Sequence, residues 1–170
     1  MDQVLKIVIK STMYPGEEIR VLGDWFILHF TENNGMAFGM EFAGSAGKVF
    51  LTLFRIVAVG GIIWYLRKLI NEQAPRGLII CLSLILAGAL GNILDSVFYG
   101  VLFGYEQLLF GRVVDMFYFP VFHGMIPEWL PFFGGQDFIF FRPVFNIADT
   151  AISTGVISLL VFQKKYFKNN

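Results

Sequence analysis

Long unbroken apolar runs dominate the chain. Residues 49–66 read VFLTLFRIVAVGGIIWYL, interrupted by one charge, Arg55. Residues 77–94 read GLIICLSLILAGALGNIL and carry no charge. Residues 147–162 read IADTAISTGVISLLVF with one charge, Asp149. At about 1.5 Å per residue, a run of roughly 18 residues reaches about 27 Å, close to a hydrocarbon core of about 30 Å. The pattern therefore predicts membrane helices over 48–67, 77–96 and 145–163. Glycines inside the runs (Gly60, Gly61, Gly88, Gly91, Gly155) would weaken soluble helices, but they let membrane helices pack closely. The first ten residues, MDQVLKIVIK, are apolar over too short a stretch to cross, and they lack signal-peptide architecture. Residues 1–10 read as the outer end of a first helix. The front of that helix is expected upstream in the gene, which would make four spans in all.

The connections are patterned differently. Residues 20–43 contain a strand-forming stretch followed by Asn34-Gly35, a turn signal, and predict a small β-cradle on the membrane surface. Residues 97–144 form a long outer segment. Its part from 117 onward is crowded with Phe, Trp, Pro and Gly, and aromatic residues favour the membrane interface, so it predicts a lid there. Arg67, Lys68 and Arg76 in one short connection, and Lys164, Lys165 and Lys168 in the tail, place both on the cytoplasmic side. The cradle and the outer segment then face outward.

Composition agrees with a membrane protein. Hydrophobic residues are 56% of the 170 and charged ones 15%, against about 45–50% and about 25% in soluble domains. Thirteen basic residues balance thirteen acidic ones, which argues against a basic nucleic-acid binder. Cys81 is the single cysteine, and His29 and His123 lack metal-binding spacing. No metal, nucleotide or organic cofactor is indicated.

Ionisable groups in or beside spans are expensive and mark functional sites. Asp2, Lys6, Arg55, Asp95, Asp115 and Asp149 all fall toward the outer side. Two carboxylates near a lipid boundary suit aspartic-protease chemistry: like charges at close range share a proton, and the ionised partner activates water. Each also has a structural reading. Asn146 and Asp149 have the spacing of a capping box, and Asp115 can be a surface acid paired with Arg112. A transporter or a scaffold would also account for acids within an apolar chain.

Five short motifs in order narrow these choices. They are Asp2-Gln3-x-x-Lys6, Asn34-Gly35-Met36-Ala37-Phe38-Gly39, Gly88-Ala89-Leu90-Gly91-Asn92-Ile93-Leu94-Asp95, Val113-Val114-Asp115 and Phe145-Asn146-Ile147-Ala148-Asp149. With them, the chain resembles the lipoprotein signal peptidases, the type II signal peptidases of bacteria. The resemblance implies a single membrane-embedded domain: a four-helix transmembrane bundle with an extracytoplasmic β-cradle and lid, in the bacterial inner membrane. It implies an aspartic endopeptidase that cleaves diacylglyceryl-modified prolipoproteins just before the lipidated Cys, with membrane lipid as its surroundings. By motif, Asp115 and Asp149 are the catalytic pair. Asn34, Gly35, Asn92, Asp95 and Asn146 line the site, and Asp2 and Lys6 hold structure. Many members carry Arg directly after the third-helix aspartate; here Ser96 stands there. Arg55 and Arg142 are the candidates to take its place.

Overall fold

The computed structural model describes residues 1–34, 44–120, 122–125, 135, 137–140 and 143–166. In chain order these form α1 (Asp2–Thr12), β1 (Glu18–Leu22), β2 (Phe26–Asn33), α2 (Gly44–Asn71), α3 (Arg76–Leu102) and β3 (Val113–Tyr118). They are followed by β4 (Phe122–Met125), β5 (Asp137–Phe140), β6 (Val144–Phe145), α4 (Ile147–Val161) and a last short helix, α5 (Gln163–Tyr166).

α2 and α3 are long and apolar enough to cross a membrane, and α4 is a shorter apolar helix. Only 17% and 28% of the most apolar windows of α2 and α3 are buried within the protein. A core helix of a soluble domain would be mostly covered. Instead Phe50, Phe54, Val57 and Trp64 on α2, Ile80 on α3, and Ile157 and Leu160 on α4 are exposed. Both long helices run past the apolar stretches that predict them, because backbone hydrogen bonding continues into the polar ends.

Small residues set the helix contacts. A Cβ at Gly88 of α3 would lie 2.2 Å from the Ala148 carbonyl oxygen of α4, and one at Gly155 of α4 would lie 2.6 Å from the Cys81 carbonyl oxygen of α3. Glycine is what lets these two backbones touch, so α4 is set against α3 along its length.

The sheet is larger than the sequence pattern predicts. The strand-forming stretch is broken by a turn at residues 23–25 into β1 and β2, which pair as a hairpin; β2 also pairs with β3, and β3 with β6, all antiparallel, in the order β1-β2-β3-β6. The segments leading away from α3 and into α4 thus enter the cradle. β3 was not legible as a strand because four of its six residues, Val113 to Met116, are buried, so it lacks polar alternation. On one face of β3, Val114 and Met116 join Ile9, Met13, Phe30 and Tyr99 in the core that ties α1, β2 and α3 together. Asp115 lies on the other face, since side chains alternate along a strand. β4 and β5 pair as a separate hairpin. Gly35, Arg142 and most of the aromatic stretch expected to form the lid lie outside the described residues.

Candidate active site

Asp115 and Asp149 come from different elements and meet at Asn146. Asp115 projects from the middle of β3 and is 3% exposed. Its Oδ1 accepts a hydrogen bond from Asn146 Nδ2 at 2.7 Å, and its Oδ2 accepts one from Asn33 Nδ2. Arg112 is not its partner; that guanidinium lies 3.7 Å from Glu32.

Asp149 stands in the first turn of α4. Asn146 is the N-cap: its Oδ1 accepts from the Asp149 backbone N–H at 2.8 Å, while Asp149 Oδ2 accepts from the Asn146 N–H at 3.3 Å, a complete capping box. The structural reading of this pair and its membership of the site are therefore compatible. Capping uses Oδ2 of Asp149. Its Oδ1 accepts from Asn92 Nδ2 of α3 at 2.8 Å. Asn146 is fully buried, and its Nδ2 also reaches Asn92 Oδ1 and the Val114 carbonyl, both at 3.2 Å.

Behind Asn92 sits a buried charge cluster. Lys6 Nζ of α1 donates to Asn92 Oδ1 at 2.8 Å and pairs with Asp95 at 2.7 Å and Asp2 at 3.1 Å. Lys6 thereby fixes which way the Asn92 amide points: with its oxygen taken by the ammonium, its NH2 is turned toward Asp149. Asp95 also accepts from Gln3 at 2.8 Å and from the Val114 N–H at 3.2 Å, locking β3 to α3 one residue from Asp115. Asp2 Oδ1 accepts from the Ala148 N–H at 3.0 Å, which holds the start of α4. Breaking a buried pair by removing one partner costs about 3–5 kcal/mol. The Asp2-Gln3-x-x-Lys6 motif thus supports the aspartate pair from behind, without touching either carboxylate.

Ser96 does not replace a cation. Its hydroxyl turns back to the Asn92 carbonyl oxygen at 2.9 Å, within its own helix. The Asn34 side-chain oxygen accepts from Lys48 Nζ at 3.0 Å, and Lys48 also donates to the Phe110 carbonyl at 2.7 Å. The asparagine on Asp115 is its neighbour Asn33. Strand parity could have found it. Thr31 lies opposite Asp115 across the β2–β3 ladder, and Asn33, two residues on, shares that face while Asn34 does not.

Burial, and secondly the negative charge of Asp149, push the Asp115 carboxyl up to about 7, against the opposing effects of the Asn146 and Asn33 hydrogen bonds and the Lys6 charge. In an unfolded chain an aspartate titrates near about 4. Between those values the folded protein holds a proton that the unfolded chain does not. The stabilisation from this group is therefore complete below about pH 4 and lost as pH rises through about 7. One buried acid that keeps its proton near neutrality, beside a second carboxylate, is the arrangement that lets one group donate a hydrogen bond while the other takes a proton.

The family described as "Signal peptidase (SPase) II" matches residues 1–164. The lipoprotein signal peptidase of Porphyromonas gingivalis is 51% identical over 177 aligned positions, covering 95% of this chain and 76% of that protein. That of Amoebophilus asiaticus is 41% identical, covering 97% and 73%. A solved bacterial membrane enzyme, crystallised in meso, superposes with a TM-score of 0.66 at 26% identity, over 99% of this chain and 84% of its own. A second such structure gives 0.65 at 27% identity, over 96% and 85%. The chain belongs to the signal peptidase II family.

Proposed function

We propose that Asp115 and Asp149 are the catalytic dyad with which this signal peptidase II removes signal peptides from diacylglyceryl-modified prolipoproteins, cutting just before the lipidated Cys. The observation that carries this is the convergence of both carboxylates on Asn146, which bonds one through its side chain and caps the helix of the other. Asp149, half-buried and toward the open side, takes a proton from water. Asp115 gives a hydrogen bond to the scissile carbonyl oxygen as the water oxygen adds to the carbonyl carbon; when the C–N bond breaks, the proton held by Asp149 passes to the leaving amine. Asn33, Asn92 and Asn146 hold the two carboxyl groups in fixed orientation. With the family shown, a transporter or scaffold has no observation in its favour.

The same reading extends to the surroundings. The enzyme sits in the bacterial inner membrane as a four-helix bundle, with residues 67–76 and the lysine-rich tail in the cytoplasm and the sheet outside. Substrate enters sideways from the bilayer. The test is direct. The purified protein in lipid bilayers should cleave a diacylglyceryl-modified prolipoprotein and leave the unmodified precursor intact. Equal cleavage of both, or of neither, removes the proposal.

The pH profile adds a second expectation. Activity should need one proton on the dyad, so kcat should fall on the alkaline side near pH 7, where Asp115 loses its proton. Asn33 and Asn146 both favour its ionised form. Asn33→Ala should therefore move that alkaline limb to higher pH, as read from kcat measured across the neutral range. A limb that stays in place or moves down assigns the proton elsewhere.

A further inference from the structure

The β2–β3 ladder ends where the site begins. Its last pair is Asn33 opposite Val113, with Thr31 opposite Asp115 further in. Asn33 is also the last residue of β2, and the amide it presents to Asp115 Oδ2 hangs on that terminal pair. Strand ends open at little free-energy cost unless other contacts hold them. α2 supplies such a contact. It carries Arg55 half-buried in mid-span and Lys48, which is 8% exposed, near its start. Just past the last pair of the ladder, Lys48 Nζ donates to Asn34 Oδ1 at 3.0 Å, where the chain leaves β2. It also donates to the Phe110 carbonyl oxygen at 2.7 Å, where the chain approaches β3.

Both ends of this bridge are firm. The Phe110 side is pinned to α3: the Gly111 N–H donates to the Ser96 carbonyl oxygen at 2.9 Å, and the Leu109 N–H to that of Val97 at 3.0 Å. A Cβ at Gly111 would lie 2.0 Å from the Asp95 carbonyl oxygen, so only glycine fits there. On the α2 side, the carbonyl oxygen of Lys48 accepts from the buried Thr52 hydroxyl at 3.0 Å, one turn on. The residue type is the informative part. Lys6 and Lys10 direct their charge at carboxylates, whereas Lys48 directs its charge at two neutral oxygens. The charges that act on it from a distance, Arg112, Glu106 and Glu32, are mixed in sign. A buried ammonium without a carboxylate partner is unfavourable, and a methionine of similar length would fill the same space. What the ammonium does is join the two strand ends.

We propose that Lys48 is a positioning residue of the active site: by tying Asn34 to Phe110 it closes the end of the β2–β3 ladder and holds the Asn33 amide on Asp115. This rests on the assignment of the dyad above.

Lys48→Met keeps the apolar stem and removes the bridge. Asn33 favours the ionised form of Asp115, on which the charges of Asp149 from α4 and Lys6 from α1 also act. A loosened Asn33 lets that carboxyl keep its proton to higher pH. In the bilayer-reconstituted enzyme, the alkaline limb of kcat should therefore move up by about half a pH unit. At its optimum kcat should fall about tenfold, as for a group slightly out of place. Asn34→Ala removes the bridge from its other end and leaves the ammonium; it should move the limb the same way. A limb unmoved in both variants overturns the proposal, since a merely structural lysine would lower the amount of folded enzyme without shifting it. In an Asn33→Ala background, Lys48→Met should add no further shift. A shift that persists there means that the lysine acts through its charge and not through Asn33, which also overturns the proposal. A second readout needs no activity: the infrared C=O stretch of protonated Asp115, assigned by its loss in Asp115→Asn and followed against pH. Its titration should rise in Lys48→Met by the same amount as the limb. If it rises while Asp115→Asn still cleaves, the dyad assignment fails and the hold of Lys48 on Asp115 stands. If it does not move, that hold is absent, whatever Asp115 does.

Discussion

Asp115→Asn and Asp149→Asn should each lower prolipoprotein cleavage by at least about a thousandfold, as loss of one member of a catalytic unit does. Neither removes a residue on which the fold depends for packing. At 115 the amide has the same shape as the acid, and Asn33 can turn its own amide to present oxygen instead of NH2. At 149 an asparagine keeps one acceptor oxygen for the capping box and gives up only the bond from Asn92. Both variants should therefore remain in the membrane at wild-type amounts. The double variant should be no slower than the worse single, because each acts only through the other. The measurement is initial cleavage rate at saturating lipidated substrate, normalised to folded enzyme. Cleavage within tenfold of wild type by either well-folded single variant would remove that residue from the chemistry. A double variant far slower than both would mean that each aspartate works alone, and the shared bridge at Asn146 would then be structural.

How much of this was legible in the chain depends on the range of the forces involved. The long apolar helices were legible because hydrophobicity and length act locally. The Asn146–Asp149 box was legible for the same reason, since both partners lie within one helical turn. The recruitment of β3 and β6 into the cradle was not, because a buried strand looks like any short apolar run until its partner is known. Asn33 was not legible, because the parity that points it at Asp115 depends on register with a strand distant in the sequence. Lys6 was read as structural, which its bonds to Asp2 and Asp95 support, but its hold on Asn92 connects that structure to Asp149. That connection spans three elements, and no local pattern encodes it.

Gly88→Ala tests whether the distance between α3 and α4 matters as much as the aspartates themselves. The added methyl would stand 2.2 Å from the Ala148 carbonyl oxygen and 2.7 Å from Ile152 Cγ1. Ordinary contact needs about 3.5 Å, so the start of α4 would have to retreat by about an ångström. The carbonyl cannot turn away, because it belongs to the first turn of the helix and its own N–H is held by Asp2. Ala148 is the residue before Asp149, so the retreat carries the carboxylate away from Asn92 and from Asp115. Overpacking of this kind costs about 1–3 kcal/mol, which leaves the protein folded. Misplacement of a catalytic group by about 1 Å costs about a hundredfold in rate. The expected result is therefore an enzyme present in the membrane, modestly less stable to heat, and about a hundredfold slower in cleavage. Gly60→Ala and Gly61→Ala on α2 are the controls, since a Cβ at either position meets nothing within 4 Å; both should cleave at the wild-type rate. If Gly88→Ala also cleaves at that rate, α4 can shift without disturbing the dyad, and the close approach of the two helices serves packing alone.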